Sequence, residues 1–467
     1  MSLAPETTAP HASQQDEGSA SIFAPRYRAT TIGMVGLVAL VAYEALAVVT
    51  AMPTAALALD GLPLYALAFG GKMATSVVGT TLAGQWCDAR GPAAPLWASL
   101  ACFVGGLLLA GLAPDMPTLI AGRMAQGLGG GGITVALYAL VARRYPTTMR
   151  PRVFAAFATS WAIPALFGPA LSGLAVEAFG WRSIFLVIPL IALPAALLLR
   201  PALRATTAAA AAAGIVSPRR VALSFGAATG ICLLHVGGQL RGGPAAAVLI
   251  PAAALAFACT VRLLPTGTPI AARGLPTVVA LRGLVCAAFF GVEAFLPLLL
   301  SRERGLSPAL AGLALTAGAI SWTFGSWFQG HARNGWSRHR FLRTGTTALC
   351  AGLAVAALAV LSPVHVFVAV SGWAVAGLGM GMISPSLSVL VLSLSALERQ
   401  GANSAALPLS EAVAVSTAMA LGGSLFAALL PVSVEAAYLA NFAIAVAAAL
   451  LAAAIVGRAD AHRFVVN

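Results

Sequence analysis

The chain has 467 residues, of which 60% are hydrophobic and only 9% charged, with a mean hydropathy of +0.91. A soluble globular chain carries roughly 25% charged residues, so most of this chain is solvated by lipid and a large soluble domain is excluded. The formal net charge of +13 is not a nucleic-acid signature, because the basic residues fall in short clusters between apolar stretches, as membrane-protein loops carry them.

The first 25 residues are polar and small and lack the basic start and apolar core of a cleaved signal. They predict a disordered cytoplasmic tail over 1–27. A span needs about 20 apolar residues, and six such runs follow within 28–200, at 30–52, 63–86, 94–112, 117–142, 153–178 and 183–200. A cytoplasmic linker over 201–220 holds an alanine tract and, with Arg200 just before it, four arginines, and an inserted pair at 221–240 and 244–264 fills 221–265. Six more runs lie within 274–458, at 276–300, 307–330, 342–362, 365–394, 402–430 and 434–457, before a cytoplasmic tail at 459–467. The expected fold is an all-α integral membrane protein of fourteen transmembrane helices: two pseudo-symmetric six-helix bundles plus the inserted pair. The six cysteines lie in or beside apolar runs without a C-x-x-C pair, which suits packing rather than disulfides or metal binding. No metal and no cofactor is expected.

Arginine placement sets the orientation. Twenty arginines fall on the side of the termini, and Arg182, Arg241, Arg302 and Arg304 fall on the other. By the positive-inside rule both termini are cytoplasmic.

An internal repeat underlies the two halves. "GRMAQGLGGGGIT" at 122–134 aligns with "GWAVAGLGMGMIS" at 372–384, at a constant offset of 250. Gly127 and Gly131 are four apart, as are Gly377 and Gly381, a small-xxx-small spacing that lets helices approach closely in lipid. Gly127, Gly129 and Gly132 also spell G-x-G-x-x-G, but a dinucleotide loop needs a preceding strand, and none is expected here. Glu44 aligns with Glu293, 249 residues on, whereas Arg123 aligns with Trp373 and Gln126 with Ala376. The acid is kept in both halves; the arginine is not.

These motifs resemble the major facilitator superfamily, specifically its fourteen-helix drug:proton antiporter branch as found in actinobacteria, over residues 28–458. "GQWCDARG" keeps Gly84, Asp88 and Gly91 of that family's G-x-x-x-D-R-x-G-R-R loop; Ala89, Pro92 and Ala93 replace its basic residues, and Arg90 supplies one charge nearby. Arg123, Gln126 and Gly127 match R-x-x-Q-G. "WAIPALFGPALSG" is similar to the antiporter motif through Gly168, Pro169 and Gly173, with Pro164 and Ser172 where glycines are usual. "HARNG" at 331–335 is a reduced second copy of the first loop without its acid. The resemblance implies gating roles for Gly84, Asp88, Arg90, Gly91, Gly168, Pro169 and Gly173. It also implies a monomeric exporter in a bacterial inner membrane, with protons and a small-molecule cargo as its partners besides the bilayer.

A charge at a helix centre costs about 2.5–3.5 kcal/mol on the insertion scale. At about 1.5 Å per residue, Glu44, Arg123 and Lys72 fall at similar depths and form one polar layer in the first half. The expected proton site is Glu44, with Arg123 tuning and coupling it; the alternative is a permanent structural ion pair. Glu293 reads as a substrate contact, a second proton site, or a polar residue at a helix end. Glu411 and Lys72 are candidate cavity residues, Arg282 either shares the Glu293 face or snorkels, and His235 in the inserted pair is expected to be structural. Gln126, Phe289, Phe290, Trp322 and Trp86 are candidate lining. The expected function is export of small apolar or amphiphilic, including cationic, compounds by proton antiport with alternating access, as in multidrug efflux and antibiotic resistance. Export or flipping of a lipid, siderophore or metabolite, and a non-transporting receptor or scaffold, are the alternatives. No G-x-x-x-x-G-K-[ST] loop is present, which disfavours an ATP-driven pump.

Overall fold

The computed structural model describes residues 21–146, 148–207, 217–240, 243–331, 336–361, 363–395 and 400–459. Among them are fifteen α-helices and no strand. The first half holds α1 (Pro25–Ala58), α2 (Tyr65–Arg90), α3 (Ala93–Gly111), α4 (Met116–Arg144), α5 (Arg150–Phe179) and α6 (Arg182–Leu197). A short α7 (Arg200–Thr207) precedes the inserted α8 (Pro218–Gly237) and α9 (Gly243–Leu263). The second half comprises α10 (Leu275–Leu298), α11 (Pro308–His331), α12 (Arg338–Ala357), α13 (Val366–Ser393), α14 (Gln400–Leu429) and α15 (Val434–Ile455).

Twelve of these helices are long and apolar enough to cross a membrane, which makes the chain a multi-pass membrane protein. Of the fourteen expected spans, α6 is shorter at 16 residues, and α2 is long enough but carries Lys72, Gln85, Asp88, Arg90 and four serines and threonines. A fifteenth helix, α7, lies at the start of the expected linker and adds to the expected count: its Arg, Ala and Leu residues favour helix, and its Ala202 and Leu203 are buried. Most of the expected tails (1–20 and 460–467), the alanine tract at 208–216, Arg241 and the 332–335 part of "HARNG" lie outside the described residues.

Local chemistry sets the helix ends. Asp115 accepts from the Thr118 backbone N–H at 2.8 Å and starts α4, Ser433 caps α15 through Ala436, and Gly91 at φ +82° ends α2. Tyr27 stacks on Tyr145 and the Gly274 N–H donates to the Arg458 carbonyl, which gathers the starts of α1 and α10 with the ends of α4 and α15 on the side of the termini.

The repeat reappears in packing. A Cβ on Gly127 would lie 2.0 Å from the Lys72 carbonyl oxygen, and one on Gly377 would lie 2.3 Å from that of Gly318. On the next turn Gly131 meets Ser76 and Gly381 meets Trp322 in the same way. α4 therefore seats on α2 as α13 seats on α11, both by backbone contact that no side chain permits.

The halves meet toward the end remote from the termini. Tyr65 donates to the Ala294 carbonyl at 2.6 Å, and Ala66 packs on Gly423 across α2 and α14. Gly173 abuts Pro308 and Ala309, and Gly312 abuts Pro169, across α5 and α11. α8 lies over the α2–α14 seam, with the Ser217 N–H donating to the Gln85 side chain and buried His235 seated on Gly70.

Candidate functional site

Glu44 on α1 is fully buried between two cations, Lys72 Nζ on its Oε2 and Arg123 Nη1 on its Oε1. The Gly127–Lys72 approach draws α4 onto α2 and so brings both cations to one level. Arg123 is further fixed: its Nη1 donates to Gln126 Oε1 at 2.7 Å and its Nε to the Ala68 carbonyl at 3.3 Å. Gln126 Nε2 in turn donates to the Gly106 carbonyl on α3 at 3.1 Å. Gln126 is fully buried in this network, so the expectation that it lines a cavity is corrected: it orients Arg123. Two cations and one carboxylate leave the layer with one excess positive charge. Lys72 is its open member, at 12% exposure against 2% for Arg123.

The second half carries the same acid in a different setting. Glu293 has no ion pair or hydrogen bond among the described residues. Lys72 and Gly318 take corresponding places, against Gly127 and Gly377, so the second half has no lysine there. Trp373 stands for Arg123, and its indole Nε1 donates to the Leu315 carbonyl of α11 at 3.3 Å, as Arg123 Nε donates to a carbonyl of α2, that of Ala68. The indole also fills the space a side chain at 318 would need, since a Cβ there would lie 2.2 Å from its Nε1. An aromatic cluster thus replaces two cations. Phe289 stacks on Trp373 at 4.2 Å and meets Trp322 and Phe290 edge-on at 5.2 and 5.6 Å. Phe289 is buried, whereas Phe290, Trp322 and Glu293 are partly exposed. The first half's cation positions thus pointed to Trp373, which sequence reasoning aligned but did not place among the site residues.

α10 packs against α1 and α11 to α15. Arg282, three turns from Glu293 on the same face, donates from Nε and Nη2 to Glu411 Oε2 on α14 at 2.9 and 2.6 Å. Arg282 therefore pairs rather than snorkels, and the pair is accessible at 21% and 19%.

The gating residues divide. Gly168 faces Tyr43 of α1, which an added Cβ would meet at an ordinary contact distance of 3.6 Å, while Pro169 and Gly173 form the α5–α11 seam itself. Glu177, one turn beyond Gly173, accepts from the Ala309 N–H at 2.8 Å and caps the start of α11 from the opposite half. Its sequence gave no signal, because the cap is a tertiary contact. Gly84 sits loosely against Val135, Gly91 ends α2, and Asp88 and Arg90 are exposed without an ion pair among the described residues. Trp86 is exposed at the same end of α2.

Buried charge held between helices of a duplicated, multi-pass bundle defines a membrane transporter, not an enzyme. The sequence profile of the Major Facilitator Superfamily matches residues 32–410, and the chain belongs to that family. It is 26% identical over 377 residues to a Mycobacterium tuberculosis protein named as a probable multidrug-efflux transporter, covering 78% of this chain and 80% of that one. It is also 33% identical to an MFS-type transporter of Penicillium citrinum, over 31% of this chain, and spans only a quarter of that relative's length. In fold it resembles the crystal structure of an auto-inhibited POT family peptide transporter, with a TM-score of 0.68 and 16% identity over 93% of this chain and 98% of that one.

Proposed function

We propose that this protein exports small amphiphilic or cationic compounds in exchange for protons, as a multidrug-efflux antiporter of fourteen crossings with both termini cytoplasmic. The reading rests on one observation: the two repeat-related acids differ in neutralisation, Glu44 holding two protein cations and Glu293 none.

Glu44 is the proton site. When it is ionised, Lys72 and Arg123 are held to it. When it takes a proton, both cations lose their counter-charge, and Lys72, the accessible one, is free to turn toward a central cavity between the halves. Positive potential there then rises. A cationic cargo near Glu293, seated against Phe290 and Trp322 by cation–π contact, is repelled by that change. Loss of the proton restores the Glu44 cluster and favours cargo again. Opposed occupancy of this kind is antiport. The seam held by Gly173, Gly312 and Glu177 supports a state whose central site opens toward the cytoplasm, and rocking of the halves would exchange it for the other.

The test is ethidium efflux in proteoliposomes under an imposed pH gradient. Wild-type protein should transport only with the gradient, and Glu44→Gln should abolish that dependence. Efflux indifferent to the gradient, or unchanged in Glu44→Gln, contradicts the proposal.

A further inference from the structure

Away from the charge layer, a crevice of about 460 Å³ lies between the start of α3, the end of α6 and α7, lined by Ala93, Trp97, Leu197, Arg200, Leu203 and Arg204. Its chemistry is divided. Ala202 and Leu203 are buried and hold α7 against the bundle, which leaves Arg200 and Arg204, one helical turn apart, exposed at the crevice. Neither guanidinium has an ion pair or a hydrogen bond among the described residues. The following segment, 205–218, contains no acidic residue that could neutralise them. Opposite stand the half-buried indole of Trp97 and the apolar wall of Leu197. α3 begins and α6 ends here, so the crevice sits where apolar helices leave the membrane on the side of the termini.

Two unpaired arginines, an indole at the membrane edge and an apolar wall match the parts of an anionic lipid. Guanidinium groups pair with phosphate oxygens bidentately. Tryptophan favours the headgroup level, and basic residues on an amphipathic interfacial helix attract anionic lipids. We propose that this crevice binds one anionic phospholipid, its phosphate between Arg200 and Arg204, its glycerol beside Trp97 and its first acyl carbons along Leu197. The site is independent of the antiport reading. A lipid there ties the end of the first half to the start of the linker.

The test is native mass spectrometry of the full chain in detergent, titrated separately with phosphatidylglycerol and phosphatidylcholine. Wild-type protein should retain phosphatidylglycerol preferentially, and excess inorganic phosphate should not displace it. Arg200→Gln or Arg204→Gln should weaken phosphatidylglycerol about fivefold and the double variant about thirtyfold, with phosphatidylcholine unaffected. The double variant Arg200→Lys/Arg204→Lys should keep most of the binding, which separates lost charge from a lost fold. Arg338→Gln, an exposed arginine on the same side, should change little. Unchanged phosphatidylglycerol binding in the double glutamine variant, an equal loss in Arg338→Gln, or displacement by inorganic phosphate would each overturn the proposal.

Discussion

Lys72→Met and Arg123→Leu should separate in stability, although both remove a cation from Glu44. Lys72 makes one side-chain bond, to Glu44, and is partly open. Its loss leaves Glu44 with Arg123, a neutral pair, and methionine refills the stem's volume; the cost should be about 1–2 kcal/mol, near that of one charge-assisted hydrogen bond. Arg123 is 2% exposed and donates to Glu44, Gln126 and Ala68. Its loss strips donors from three buried acceptors at once, so the cost should approach the ~3–5 kcal/mol of breaking a buried ion pair. Arg123→Lys should fall between, keeping the charge but not the fork that reaches Gln126 and Ala68. Unfolding in mixed micelles, followed by far-ultraviolet circular dichroism, measures all three. Equal costs for Lys72→Met and Arg123→Leu would refute the unequal roles assigned to the two cations.

Gly127→Ala and Gly377→Ala should each sharply lower the yield of monodisperse protein on size-exclusion chromatography, because the added carbon meets a backbone oxygen at 2.0 or 2.3 Å. Gly130→Ala, whose Cβ would lie 3.9 Å from the Phe103 ring, should be tolerated. Glu177→Ala removes the cap of α11, an interaction worth about 1 kcal/mol, and should lengthen the pulsed-EPR distance between spin labels at exposed Leu174 and Leu310. Arg282→Gln and Glu411→Gln should each reduce ethidium efflux, and the exchanged pair Arg282→Glu/Glu411→Arg should recover part of it. Asp115, outside the spans, is held below the ordinary carboxylate range by its bonds to Thr118. Its support of the α4 start should therefore be complete at neutral pH and be lost as pH falls through its lowered folded value. The protection factor of the Thr118 amide, its exchange corrected for the intrinsic pH dependence, should fall there, and Asp115→Asn should remove that change while keeping the cap.

Apolar runs revealed most of the bundle because lipid forces every span to satisfy its own backbone. They missed α7, which lies on the bundle instead of crossing it, and they do not report that α2 is too polar to stand out alone. Depth reckoning brought Glu44, Lys72 and Arg123 to one level because rise per residue is fixed in a helix. Rotation about the helix axis is not fixed by composition, which is why Gln126 reads as lining from sequence yet turns toward Arg123. The Arg282–Glu411 pair and the Glu177 cap join residues 129 and 132 positions apart on different helices, and no local pattern encodes such a meeting. The repeat was the exception: aligning Arg123 with Trp373 marked in advance where the halves diverge.

The most direct measurement is proton release on cargo binding. Purified protein in weakly buffered detergent is mixed with tetraphenylphosphonium, and a pH indicator is followed. Wild-type protein should release protons near the apparent ionisation of its central acids, and Glu44→Gln, which leaves Lys72 and Arg123 without their counter-charge, should bind the cation more weakly and release none even at saturating concentration. Undiminished release from Glu44→Gln, or none from wild-type protein that binds tetraphenylphosphonium, would contradict the assignment of Glu44 as the coupled proton site.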